Sequence, residues 1–256
     1  MNIKTVKTGS VLVSPAIPNS NAHWFKWAYT GLFQFRSNRI SVPVKCFYIT
    51  IGSHRFLIDT GWSKIVCEHP IKHLGFGIWY SSEPVMKEEE CAANQLKDDK
   101  IDCILMTHLD CDHASGLADF SNIPIFVSKE EYDYSQSNRF RYGSFVDGFN
   151  YSFFEFKDDP DAPFKKSMDI FGDNSVIGYL TPTHSAGSVI YRVNDGDKFA
   201  LFVGDNGYNE DSWKKGILPG LMYNEENTKA VLQWIKEQSE KENCLNVYCA
   251  HDPIDR

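Results

Sequence analysis

Thr107-His108-Leu109-Asp110-Cys111-Asp112-His113 is the stretch on which the reading of this chain turns. It sets two imidazoles and two carboxylates side by side, directly after the apolar run 101–106, which has the length of a buried strand. Polar and charged groups crowded at a strand end repel one another or stay unsatisfied unless a cation gathers them. A mixture of imidazole nitrogen and carboxylate oxygen suits hard and borderline divalent metals.

Three further groups follow, each after an apolar run or a turn: His184 within 181–188, Asp205 in Gly204-Asp205-Asn206-Gly207, and His251 in Ala250-His251-Asp252-Pro253. Any one of them alone reads equally well as a capping or surface residue. Together with 107–113 they form a candidate metal constellation.

Around these points the chain reads as one α/β domain spanning 1–256, with two sheets flanked by helices. Residues 10–15 read as a strand, and 40–59 as a hairpin of half-buried strands turning at Gly52-Ser53. The spacing of Val85, Cys91, Ala92 and Leu96 predicts an amphipathic helix over 83–97. Strands are expected over 101–106, 123–127, 175–179, 188–193, 199–203 and 245–250, and helices from Lys129 and over 225–242. Segment 135–168 is aromatic and aperiodic, and is expected to be either an insertion covering a pocket or a plain surface excursion.

Composition narrows the function. With 26 Lys+Arg against 34 Asp+Glu the net charge is −8, and no basic run exceeds the pairs Lys165-Lys166 and Lys214-Lys215. A nucleic-acid partner is therefore not expected. At 42% hydrophobic and 23% charged residues the chain has the balance of a soluble globule. The seven cysteines are odd in number and form no CxxC pair, which fits a reducing compartment. Residues 1–9 lack an apolar leader core, and no apolar run approaches the roughly 20 residues that span a bilayer. The expectation is a cytoplasmic protein with no membrane partner.

The constellation resembles that of the metallo-β-lactamase superfamily, a four-layer αββα sandwich with an HxHxDH motif followed by His, Asp and His. The likeness spans nearly the whole chain. It implies two divalent metal ions, the first held by His108, Asp110 and His184, the second by Asp112, His113 and His251, with Asp205 bridging. Asp59, in Leu57-Ile58-Asp59-Thr60-Gly61, resembles the family's early aspartate, which orients ligands without binding metal; turn capping is the plainer reading of it. Asp110 departs from the pattern, standing where most members have histidine. Zinc, which also accepts Asp oxygen, is the expected metal, with Mn or Fe open because the added anion favours them relative to an all-histidine site; it also raises the pKa of a bridging water.

In detail the chain is most similar to the N-acyl homoserine lactonases. Tyr208, three residues past Asp205, matches a tyrosine that faces the substrate carbonyl there, although an aromatic that merely packs beside the loop reads equally simply. Val42-Pro43-Val44-Lys45-Cys46, Pro219-Gly220, the helix carrying Lys229, Val231 and Leu232, and Val247-Tyr248 extend the likeness. The resemblance implies a hydrolase opening a lactone or ester of a small molecule through a metal-bridging hydroxide, with Tyr208 donating to the carbonyl oxygen and Asp112 shuttling a proton to the leaving alkoxide. Cys111, between acidic neighbours, is expected to pack and not to react.

Residues 139–156 and 23–29 are candidate walls of the substrate pocket, 73–80 a candidate flap, and the aromatic surface permits a homodimer. The rival readings are a phosphodiesterase on the same scaffold, a di-iron redox protein, and a degenerate metal-binding protein without activity. The redox reading expects a flavin domain, and the chain ends five residues after His251.

Overall fold

Residues 44–49 set the architecture, because their side chains supply two cores at once. Val44, Cys46 and Tyr48 enter one apolar layer, while Phe47 and Ile49, on the opposite face, enter another. The strand expected to be half-buried is thus covered on both sides. The computed structural model describes residues 1–31 and 34–254, the side chain of Lys26 excepted. Leu32, Phe33, Asp255 and Arg256, which fall within the expected 1–256 domain, lie outside the described residues, as does the Lys26 side chain from the candidate wall 23–29.

One sheet contains β1 (Asn2–Val13), β2 (Ile40–Ile51), β3 (His54–Ile58), β4 (Glu83–Val85), β5 (Cys103–Leu105), β6 (Ile125–Val127) and β7 (Tyr151–Phe153), in the order β4-β1-β2-β3-β5-β6-β7. The other contains β8 (Lys157–Asp158), β9 (Lys166–Asp169), β10 (Val176–Leu180), β11 (Val189–Asp195), β12 (Lys198–Phe202) and β13 (Cys244–Tyr248), in the order β13-β12-β11-β10-β9-β8. Between the sheets, Phe47, Phe56 and Leu105 meet Val189, Tyr191 and Phe202. Outside the first sheet lie Trp62, Leu74, Ile78 and Leu117; outside the second, Val231, Leu232 and Ile235 of the helix Glu225–Ser239 pack on Leu201 and Val203. The result is the expected four-layer αββα sandwich.

One segment differs from expectation. Residues 83–97 form no continuous helix. Val85 pairs with Ser10 at the sheet edge, Lys87 caps a short turn at Glu88–Glu90, and Cys91 is extended before Ala92–Gln95. Segment 135–168 is built into the fold: it supplies β7 to one sheet and β8 to the other, and so carries the crossover between them. The stretch 73–80 is helical, broken at Gly75 (φ +84°) and anchored by the buried Leu74 and Ile78.

β3 runs parallel to β5, and β12 parallel to β13. The turns leaving these strands therefore emerge at a common edge of the sandwich, and the turn leaving β10 joins them. Asp59, His108, Asp205, His251 and His184 are all on those turns.

Candidate metal centre

Asp59 leaves β3 with a left-handed backbone (φ +57°), a conformation Asp tolerates better than most residues. Its carboxylate accepts hydrogen bonds from the Thr107 amide at 2.7 Å, from the Thr107 hydroxyl at 2.8 Å and from His113 Nδ1 at 2.8 Å. Having donated its proton to Asp59, Thr107 Oγ1 accepts from His108 Nδ1 at 2.9 Å. His184 Nδ1 donates to the Leu221 carbonyl at 3.1 Å and His251 Nδ1 to the Pro43 carbonyl at 2.7 Å. Each imidazole thus has Nδ1 engaged with oxygen, which fixes the tautomer and presents the Nε2 lone pair inward.

Those nitrogens and nearby carboxylates converge in two groups, His108, His184 and Asp205, and Asp112, His113 and His251, the donor atoms of each lying within 4.8 Å of one another. Asp205 spans both. Its Oδ1 lies 3.1 Å from His113 Nε2 and 3.3 Å from His251 Nε2, and its Oδ2 lies 3.7 Å from His184 Nε2. His108 Nε2, His113 Nε2 and Asp205 Oδ1 are buried without a hydrogen-bond partner. Orphaned acceptors packed together are costly unless a cation satisfies them, so the donor set fits divalent metal.

Asp110 is placed differently from the other six. Its Oδ2 lies 2.8 Å from His184 Nε2, yet Arg141 holds the carboxylate in a fork, Nε to Oδ1 at 2.7 Å and Nη2 to Oδ2 at 2.7 Å. The same guanidinium donates to His184 Nε2 at 2.9 Å and to the His184 carbonyl at 3.1 Å. Sequence reasoning missed Arg141, which lies in the short helix Arg139–Tyr142 with no motif around it. The signal available was the uncompensated anion at position 110.

A family model of the metallo-beta-lactamase superfamily matches residues 40–243, which contain every one of these side chains except His251. The chain belongs to the metallo-beta-lactamase superfamily. Among similar proteins is the N-acyl homoserine lactonase AttM of Azorhizobium caulinodans, 27% identical over 226 residues covering 83% of this chain and 82% of that protein. An N-acyl homoserine lactone hydrolase solved with N-hexanoyl-L-homoserine at its catalytic metal center superposes with a TM-score of 0.76 at 22% identity, over 98% of this chain and 93% of the other. AidC, a dizinc quorum-quenching lactonase, superposes at 0.66 with 13% identity, over 98% and 87% of the two chains. These two structures bear on the fold alone.

The electrostatics of this superfamily site are set by its carboxylates. Burial disfavours the charged forms of His113 and His251, but Asp205, joined by Asp59 at His113 and by Asp112 at His251, outweighs it and raises both above the usual histidine range. His184 moves the other way, lowered by burial and by Arg141. Burial opposes ionisation of Asp110, yet Arg141, His108 and His184 hold it well below the usual carboxylate range. Tyr208 is buried, its ring stacked on His251 at 5.1 Å, and burial together with Asp205, Asp112 and Asp110 pushes its hydroxyl well up. The Cys111 thiol is pushed up by burial and its two acidic neighbours, against any thiolate role.

A second residue not foreseen is Glu131. Its buried carboxylate accepts from the Leu109 amide at 2.9 Å, the Tyr142 hydroxyl at 2.9 Å and the Gly187 amide at 3.3 Å, and also from Ser185 Oγ. It ties the 107–113 turn, the Arg141 helix and the His184 turn into one frame.

Proposed function

We propose that this chain is a metal-dependent hydrolase that opens a lactone or simple carboxylic ester of the N-acyl homoserine lactone class. The observation that carries the reading is the convergence of three imidazole Nε2 atoms, those of His113, His251 and His184, on the two oxygens of Asp205, with His108 in the same donor group, in a chain similar to proteins named as lactonases. His108, His184 and Asp205, and Asp112, His113 and His251, would hold divalent cations, which when bound would supply Lewis acidity and an acidified water. Zinc suits this imidazole-rich set, and each additional carboxylate oxygen moves preference toward manganese or iron.

The chain's own residues do the rest. Tyr208, kept protonated by its surroundings, donates to the substrate carbonyl oxygen, and that bond strengthens as negative charge grows there during attack. Asp112, whose side chain is part-exposed at 13% and 3.4 Å from His251, carries the proton released by the attacking water to the departing alkoxide. Water thus adds oxygen to the acyl carbon and hydrogen to the leaving oxygen. Asp59 holds His113 in place without touching the reacting atoms.

Residues 139–156 and 23–29 form the walls for the acyl group, with Trp24 and Phe140 exposed to receive it, in a single domain whose segment 135–168 covers the pocket. Among the described residues no helix is long and apolar enough to cross a membrane, and none of the seven cysteines pairs. A cytoplasmic location and a homodimer through the exposed aromatic surface complete the proposal.

The test is acid release at constant pH from N-hexanoyl-L-homoserine lactone, with bis(p-nitrophenyl) phosphate alongside. Lactone opening that a chelator abolishes and zinc restores is the expected result. Phosphodiester cleavage without lactone opening, or dioxygen uptake by an iron-loaded protein, would replace the reading.

A further inference from the structure

We propose that Arg141 is a built-in cation of the first donor group, so that the chain holds one divalent ion tightly, at Asp112, His113 and His251. The first group then takes an ion only when Arg141 withdraws. This rests on the reading above that the two groups hold metal.

The argument begins with two acceptors that ought to repel. His184 Nδ1 is engaged with the Leu221 carbonyl, so Nε2 presents a lone pair, and Asp110 Oδ2 lies only 2.8 Å from it. Arg141 Nη2 stands 2.7 Å from the oxygen and 2.9 Å from the nitrogen, donating to both. A shared positive group at that point does what a metal ion would do. The guanidinium is also well fixed: Nε and Nη1 have their own acceptors, its side chain is 11% exposed, and it lies 5.3 Å from the Tyr142 ring centroid.

Guanidinium has no lone pair with which to ligate, and its charge repels a divalent ion strongly in a buried site. While it is in place, His184 Nε2 and Asp110 are both engaged, leaving His108 Nε2 and Asp205 for the first ion. The second group keeps Asp112, His113 and His251, with Asp205 Oδ1 beside them. The substitution of aspartate for histidine at 110 and the arginine at 141 then read as one device.

Zinc per chain is measured by elemental analysis after dialysis against buffers of stepped free zinc, for the wild type, Arg141→Met and Arg141→Lys. The wild type is expected to retain one ion and to take a second only at about 10-fold or more higher free zinc. Arg141→Met should load both sites together, and Arg141→Lys, which keeps the charge, should behave as the wild type. If Arg141→Met fails to fold, the double variant Asp110→His/Arg141→Met removes both buried charges and serves instead. Two ions of equal affinity in the wild type, or no gain when the arginine is removed, overturns the inference. A wild type that holds zinc in the expected steps but opens no lactone removes the hydrolase reading and leaves this one standing.

Discussion

At Asp59 a single carboxylate links a backbone amide, on Oδ1, to a threonine hydroxyl and a histidine, on Oδ2, which makes it a clean probe of ligand orientation. Asparagine tolerates the same left-handed φ, so Asp59→Asn leaves the turn intact, but its amide has one acceptor oxygen where three donors arrive. Zinc affinity should fall by about 10- to 100-fold, read by competition with a chromogenic chelator, while far-ultraviolet dichroism stays unchanged. An unaltered affinity would show that His113 needs no such support. Tyr208→Phe keeps the ring stacked on His251 and removes only the hydroxyl. Lactone kcat/KM should drop by about 10²-fold with zinc content unchanged, and equal turnover would reduce Tyr208 to packing. The six side chains that the structure gathers into the two donor groups could be singled out in the sequence because they sit in or beside recognisable strand ends, and Asp59 because it closes one. Arg141 was not, since its partner lies 31 residues away and an ion pair at that separation leaves no periodic trace.

The helix Lys129–Ser137 is the element on which the site's frame hangs, because Glu131 in its first turn joins three separate segments. Its start was expected at Lys129, and Ser128, whose side chain accepts from the Glu131 amide, fixes it there, but the inward reach of Glu131 depends on tertiary packing that a surface-like Lys-Glu-Glu run conceals. The same override explains 83–97, where an open edge of β1 captured residues with helical spacing. Hydrophobic period reports which side chains are buried; a neighbouring strand decides the backbone they are buried on. Glu131→Gln turns an acceptor into a donor facing donors. A loss of about 2–3 kcal/mol is expected, from buried amides and hydroxyls left unsatisfied. Thermal unfolding of the zinc-free protein should drop by roughly 5–10 °C. A shift below a degree would mean that the three segments hold one another without it.

Across the whole molecule, two sheets deliver their strand-end turns to one edge, so the stability of the sandwich and the occupancy of the site are coupled. In the metal-free protein His113 and His251 have folded pKa values above the ordinary value of about 6.5, held up by Asp205. Their protons contribute stability that is fully present below about 6.5 and is lost as pH rises through the raised folded values. Asp110 and Asp205 contribute stability that is present above about 3.9 and lost only as pH falls through their depressed values. His184, with its lowered value, acts in the opposite sense: it costs the folded state stability at low pH, and that cost is relieved as pH rises through the lowered value to about 6.5, above which it has no further effect. Above about 6.5 only His113 and His251 of the three still act, so the metal-free fold weakens as pH rises through their raised values. Zinc competes for the same Nε2 atoms that carry those protons, so its stabilisation should grow with pH by about 1.4 kcal/mol per pH unit for each proton displaced. The gap in melting temperature between zinc-loaded and metal-free protein should therefore widen by about 3 °C or more per pH unit between pH 6 and 8, measured by calorimetry in matched buffers. A gap that stays constant with pH would mean that His113 and His251 are already deprotonated before the metal arrives, and that Asp205 does not hold their protons.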